Sequence, residues 1–309
     1  MAGQITQRLF TSLLVVLGSV VLVFFILYLL PGDPVLQMLG GGEGVSPEVV
    51  ANLRHQLGLD RPLMSQFGSY FGSMLQGDFG VSLVNGESVA AKIAGQFPAT
   101  FYLTLASFLI TIGVGLILGV LSAVYRNTAL DVFARVISLA GISMPTFWSG
   151  ILLILIFSVR LRWLPSMGSE GWATLVLPAF TLGMVGSGFI VRMVRNSMLE
   201  VIHQPFIVTL RAKGLSERAV LYRHALRNAL IPAITVAGMQ VGELLAGAVV
   251  VETVFSRQGI GRLLVEAITA KDMPVVQGVV FFTAIIYVGV NLLVDLLYTV
   301  IDPRVRHAR

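Results

Sequence analysis

Stretches of about twenty residues almost free of charge recur along this chain, and that recurrence limits its fold more than any other feature. A helix rises about 1.5 Å per residue, so about twenty apolar residues cross about 30 Å of hydrocarbon. The stretches run over Leu9–Leu30, Phe101–Val124, Val132–Val159, Leu175–Val194, Ile231–Val251 and Val275–Tyr298. One soluble core does not need so many long apolar helices. Charged residues make up only 12% of the 309, against roughly 25% in an average soluble domain. The expected fold is an all-α integral membrane protein with six transmembrane helices. The first stretch exceeds the roughly 7–15-residue apolar core of a signal peptide, so it reads as a retained anchor. Pro145 and Pro178 fall inside expected spans, where neighbouring helices or water can satisfy the freed carbonyls.

Six spans put both termini on one side. Thirteen of the 21 lysines and arginines fall on that side, seven of them at or after the end of the fourth span: Arg192, Arg195, Arg211, Lys213, Arg218, Arg223 and Arg227. The other side holds eight, partly in a long loop that counts for little in topology. The positive-inside rule then places both termini in the cytoplasm. The net charge of +5 reads as this topology signal rather than as nucleic-acid binding.

The chain has no cysteine, which excludes disulfides, thiol catalysis and cysteine-based metal centres. Its histidines, His55, His203, His224 and His307, lie outside the six stretches, and no two share metal-ligand spacing. No metal site and no catalytic group are expected. A phosphate-cradling loop needs Gly-Lys followed by Ser or Thr. Lys92, Lys213 and Lys271 each follow an alanine, so the chain is not read as an enzyme or as an ATP binder. Energy must come from a partner or an ion gradient. Gly40-Gly41-Gly42-Glu43-Gly44 lacks the framing strand and helix of a phosphate site and reads as a flexible loop.

Two loops are large. Residues 31–98 open with the turn cluster Pro31-Gly32-Asp33-Pro34, which stops the first helix. Ser46-Pro47-Glu48 reads as the start of a short helix ended by Gly58, with Val49, Val50, Leu53 and Leu57 on one face. Phe67, Tyr70, Phe71 and Met74 fall at helical spacing in a second. The loop is either a cap packed on the membrane domain or a docking surface for an external partner, and both can hold.

Between spans four and five, Ser216 reads as an N-cap with Glu217 in the first turn. Leu215, Ala219, Tyr222 and Leu226 share one face, and Arg223 and Arg227 another. Pro232 is expected to end this amphipathic helix where the fifth span begins. Either the helix lies on anionic lipid as a stop signal, or it docks a cytoplasmic protein.

Acids inside the spans are few. Glu243 and Asp295, the latter with Asn291 one turn earlier on the same face, are candidate translocation-path residues. Each acid costs about 2.5–3.5 kcal/mol at mid-helix, so each needs a partner or water.

The segment Arg211-Ala212-Lys213-Gly214-Leu215-Ser216-Glu217, followed by Arg223-His224-Ala225-Leu226-Arg227-Asn228-Ala229-Leu230-Ile231-Pro232, resembles the cytoplasmic EAA loop of ABC importer permeases, in particular the peptide and nickel branch. Further fragments agree in order along almost the whole chain. They are Leu30-Pro31-Gly32-Asp33-Pro34, Gly77-Asp78-Phe79-Gly80, Ser143-Met144-Pro145, Trp163-Leu164-Pro165, Val251-Glu252-Thr253-Val254-Phe255, Gly259-Ile260-Gly261-Arg262, Asn291 to Tyr298, and Asp302-Pro303-Arg304. Val208, Thr209 and Leu210 depart from the general motif, and Gln258-Gly259 stands where the branch commonly has Pro-Gly.

The resemblance implies a type I ABC importer permease fold in a bacterial or archaeal cytoplasmic (inner) membrane. It implies a second, homologous permease subunit, two cytoplasmic ATPases that bind ATP and Mg, and an external solute-binding protein. The solute would be a short peptide or a related small molecule, with nickel or a metal chelate as the alternative. A stand-alone secondary transporter is a poorer fit, because two deep acids with no histidine make a weak relay, and no constellation for an intramembrane enzyme is visible. The domain reading is 1–30 for the N-terminal end and first helix, and 31–98 for the external loop. Residues 99–302 form a five-helix core with coupling loop 195–230, and 303–309 the tail. The ATPase-coupling residues implied are Arg211, Lys213, Gly214, Leu215, Ser216, Glu217, Arg218, Tyr222, Arg223, His224, Leu226, Arg227, Asn228 and Pro232, with Leu215, Tyr222 and Leu226 expected to fill the partner's groove.

Overall fold

A computed structural model describes residues 2–29, 35–36, 46–56 and 58–301, and the side chains of all of these except 2–9, 26–29, 56 and 295–301. The helices are α1 Ala2–Leu29, α2 Pro47–Gln56, α3 Leu63–Leu75, α4 Val89–Val124, α5 Ala129–Ser143, α6 Thr146–Leu153, α7 Ala173–Ile202, α8 Pro205–Ala212, α9 Leu226–Val254, α10 Ile260–Thr269 and α11 Met273–Ile301. A π-helical turn, Ile154–Arg160, prolongs α6, and another, Ala219–Ala225, leads into α9. Among the described residues the only β pairing is an isolated bridge, Val81 to Ser88.

Among the described residues, four helices are long and apolar enough to cross a membrane: Val89–Val124, Ala173–Ile202, Ala219–Val254 and Met273–Val294. A fifth crossing results if α5 and α6 with its π turn count as one, although they meet at 114°. The described apolar part of α1, Phe10–Phe25, is shorter. The span expected over 132–159 is thus broken at the proline that falls inside it. Met144 is extended (ψ 132) ahead of Pro145, because the proline ring disfavours helical backbone in the residue before it.

The expected stop at Pro232 is also corrected. Helix α9 runs through it to Val254. A proline removes one N–H and crowds one carbonyl, whereas breaking a helix in an apolar phase would strand several backbone groups with no water to pair them.

The chain divides into two compact units, Met1–Pro98 with Gly259–Gly289, and Ala99–Gln258 with Val290–Arg309. In the first, Val89 and Ile93 of α4 pack with Ile260, Leu263 and Ala267 of α10 and Val275, Val276 and Val279 of α11. The loop helices form as expected. The Val49 N–H donates to the Ser46 hydroxyl at 3.4 Å at the start of α2, and Gly58 (φ +66) follows its end. Along α3, Phe67, Tyr70, Phe71 and Met74 meet Val20 of α1 and Phe281 of α11, with the Phe24 and Tyr70 rings stacked 5.5 Å apart. Burial pushes the Tyr70 phenol up to about 12. On this face the loop is a cap packed on its own unit. Asp272, buried just before α11, accepts hydrogen bonds from the Ser82 hydroxyl and the Leu83 N–H, which fastens the 82–83 turn. The clusters 30–34, 40–44 and 302–304 lie outside the described residues.

The second unit is organised around α7, which packs most extensively on α9 and α5. Small residues allow close approach. A Cβ at Gly186 would sit 2.7 Å from the Thr111 hydroxyl, and one at Gly188 would sit 2.5 Å from the Ser138 carbonyl. Across these gaps Thr111 donates to the Gly183 carbonyl (3.0 Å), Ser138 to Gly188 (2.8 Å) and Gln240 to Gly186 (3.3 Å). Polar side chains thus join α4, α5 and α9 to one helix, as in membrane bundles where small residues and hydroxyls replace the hydrophobic drive.

Candidate coupling site

Residues 205–230 form a helix–turn–helix projection on the second unit. The Gly214 backbone has φ +78 with open space where a Cβ would be, so glycine is favoured there by conformation rather than by crowding. The Leu215 N–H returns to the Leu210 carbonyl, closing α8. Across the turn Arg211 donates twice to Glu217, Nε to Oε2 at 3.0 Å and Nη2 to Oε1 at 2.6 Å. These bonds hold the Glu217 carboxyl below its usual value and raise the Arg211 guanidinium above its own. Ser216 caps the next helix, its hydroxyl accepting from the Ala219 N–H at 3.4 Å and its carbonyl from Val220 at 3.0 Å. The Asn228 amide donates to the His224 carbonyl at 2.9 Å, one turn back.

The inner face is apolar. Ile207, Val220, Ala225 and Ala229 are fully buried with Val120 and Ala123 of α4 and Val194 and Met198 of α7. Leu215 and Leu226 pack half-buried against this cluster. Of the three apolar residues expected to enter a partner's groove, only Tyr222 is freely exposed, at 48%. The helix phase explains this: Leu226 follows directly on buried Ala225, so it leans into the chain's own core. The outer face carries Arg211, Lys213, Arg218, Arg223, Arg227 and Asn228 together with Tyr222, Phe206 and Val208. The last two were missed as surface residues because α8 was not foreseen as a separate helix. Pro205 at its first turn was the available signal. Val208, a departure from the general motif, is 61% exposed.

Glu243 is exposed on α9 and Asn291 half-buried on α11, while the Asp295 side chain lies outside the described ones. The buried charges are elsewhere. Asp131 accepts from Ser122, Asn127 and Arg195. Glu252 accepts from the Thr100 hydroxyl at 2.6 Å. Arg257 is 4% exposed, with Nε and Nη1 unpaired. No cluster of three His, Cys, Asp or Glu able to hold a metal occurs among the described residues. The Gln258 departure has a visible consequence, because its N–H donates to the Ser169 hydroxyl at 2.6 Å, a bond that a proline could not make.

The profile of the family described as the inner membrane component of binding-protein-dependent transport systems matches residues 115–307, and that of its N-terminal part matches residues 1–104. The chain belongs to this family. The resemblance read from the coupling-loop motif is thereby borne out, and the permease is a multi-pass inner-membrane protein. It is 43% identical, over 99% of its length and 100% of the relative, to a protein of Brucella abortus (strain 2308) named as a peptide transport system permease. It is 41% identical, over 99% and 100%, to the glutathione transport system permease protein GsiC of Salmonella typhimurium. Among solved structures, a chain of the inward-facing MetNI methionine ABC transporter matches 68% of the permease and 96% of itself, with a TM-score of 0.59 at 21% identity. A chain of an amino acid ABC transporter covers 69% and 94%, with a TM-score of 0.51 at 15% identity. These two matches establish a shared fold.

Proposed function

We propose that the permease imports short peptides or related solutes such as glutathione, forming half of a pathway with a second permease subunit. An external binding protein delivers the solute, and two cytoplasmic ATPases drive the cycle. The observation that carries the ATPase contact is the projection at 205–230. Its inner face is spent on the permease's own core, while its outer face presents five cationic side chains beside three exposed apolar ones. Such a surface suits a groove with an apolar floor and an acidic rim. Support for the solute class comes from the two named relatives, which match end to end at over 40% identity. The excess of basic residues on the terminus side supports an orientation with both termini, and this projection, in the cytoplasm.

The test is uptake by membranes that contain the permease with its partner subunits. A labelled tripeptide and glutathione should each be imported only with ATP and binding protein present. Import of neither, by complexes that still hydrolyse ATP, would refute the solute class. Orientation is checked with cysteines at Ser65 and Ser216, both exposed. Ser65→Cys should label in intact cells and Ser216→Cys only after permeabilisation.

A further inference from the structure

Asp131 lies in the first turn of α5 with its side chain fully buried. Its Oδ1 accepts from the Ser122 hydroxyl of α4 at 2.6 Å and from Arg195 Nε of α7 at 2.9 Å. Its Oδ2 accepts from Arg195 Nη2 at 3.0 Å and from the Asn127 N–H at 3.0 Å. Arg135, one turn along α5, adds an ionic contact at 3.4 Å. Asn127 has φ +62, an unfavoured conformation for a residue with a side chain, which points its amide at the carboxylate. One carboxylate therefore ties together the end of α4, the α4–α5 turn, the start of α5 and α7.

The same two helical turns touch the coupling projection. Ser122 lies between Val120 and Ala123, and Arg195 follows Val194. These three apolar residues share one buried cluster with Met198 of α7, Ile207 of α8 and Val220 of the coupling helix. Displacing the projection must push on the turns that hold Asp131. Beyond Asp131, α5 leads to the break at Met144-Pro145 and the 114° bend into α6, the kind of joint that converts a push into a rotation.

We propose that Asp131 is a positioning residue for energy coupling. It locks the α4–α5 turn to α7, so that motion of the coupling projection passes to the bent α5–α6 pair instead of being absorbed at the turn. A two-pronged guanidinium–carboxylate pair suits this role, since it fixes orientation as well as distance. The inference rests on the reading of the permease as an ATP-coupled importer.

The experiment uses the complete importer in proteoliposomes, with a labelled tripeptide as solute. Two ratios are read: peptide imported per ATP hydrolysed, and hydrolysis with over hydrolysis without the binding protein. Neither ratio depends on how much protein is present. Both ratios depend on the same mechanical link, so both should fall in Asp131→Asn, by about two- to thirtyfold, the span seen for changes along coupling routes. Basal hydrolysis should persist. Arg195→Lys keeps the charge but loses the two-pronged geometry, and should fall as well. Asp131→Arg with Arg195→Asp should recover part of the loss. Wild-type ratios in Asp131→Asn and Arg195→Lys, whatever their abundance, overturn the proposal. Should Asp131→Asn not reach the membrane, Ser122→Ala removes one hydrogen bond and no ionic contact, and is scored by the same two outcomes. A wild-type complex that responds to its binding protein yet imports no peptide refutes the solute reading alone, and the second ratio still decides the role of Asp131.

Discussion

Arg211 and Glu217 face each other across the Gly214 turn and close it with two hydrogen bonds, of 3.0 and 2.6 Å. The pair is solvent-exposed, so its worth lies in fixing the angle between α8 and the coupling helix rather than in overall stability. The Glu217 carboxyl is held below its ordinary value chiefly by the Arg211 hydrogen bonds. A depressed acid contributes above its unfolded pKa, and the contribution is lost as pH falls through the folded one. Capture of the ATPase by the permease should therefore be flat from about pH 8 to pH 5.5, because the unperturbed glutamate value is about 4.3. Glu217→Gln should lower capture evenly over that range. A midpoint in wild-type capture near pH 6 would show that another group controls docking.

The exposed and buried faces of the projection separate two outcomes that a charge count would merge. Phe206→Asp and Tyr222→Asp alter side chains 39% and 48% exposed, so membrane abundance should hold while ATPase capture falls about tenfold or more, the scale of a lost interface anchor. Leu226→Asp places a carboxylate against the permease's own core and should lower abundance first. Gly214→Asp should lose capture through backbone strain at φ +78. Quantitative immunoblotting beside pull-down distinguishes these. Normal capture in both the Phe206 and Tyr222 variants would move the docking surface elsewhere.

Local signals carried much of this architecture. Ser46-Pro47-Glu48 marked the start of α2, and the spacing of Phe67, Tyr70, Phe71 and Met74 marked the face of α3 that packs on α1. The Ser216 cap and the Gly214 turn were readable because caps and turns depend on a few adjacent residues. What escaped reading depends on partners far away in sequence. Asp131 carries no local signal of its role, since Arg195 lies 64 residues further on. Leu226 belongs to an apolar face by spacing, and only the neighbouring helices decide that the face turns inward. Prolines were ambiguous for a physical reason. Pro145 breaks a helix while Pro232 does not, and the difference lies in what surrounds each ring.

Tight packing at α7 gives a stability prediction. A Cβ at Gly186 would come within 2.7 Å of the Thr111 hydroxyl and 2.9 Å of its methyl group, and Thr111 is anchored by its bond to the Gly183 carbonyl. Gly186→Val should destabilise the permease by about 1–3 kcal/mol or more, the cost of overfilling a packed interior. Thermal unfolding in detergent should show a lower midpoint. Gly113→Ala, on α4 with open space around it, is the control and should leave the midpoint nearly unchanged.

The last prediction concerns Glu252 and Arg257, a buried acid and a buried base at the end of α9. Glu252 is fully buried and accepts from Thr100. Burial lowers the Arg257 guanidinium from its ordinary value, and the Glu252 charge opposes that shift. The Arg257 N–H closes the helix end by donating to the Glu252 carbonyl at 2.8 Å, through a turn in which Ser256 has φ +47. The Nε and Nη1 of Arg257 are buried without acceptors, so its charge is balanced by field more than by hydrogen bonds. Removing one member leaves the other charge uncompensated in a poorly solvated place, at a cost of about 3–5 kcal/mol, whereas replacing both by uncharged groups often costs little. Glu252→Gln and Arg257→Met should each lower the unfolding midpoint clearly. The double variant should lose much less than the two together, giving an interaction energy above about 1 kcal/mol, well beyond the scatter of independent sites. Additive losses in that cycle would mean that the two charges do not compensate each other, and that Glu252 is held by its other partners alone.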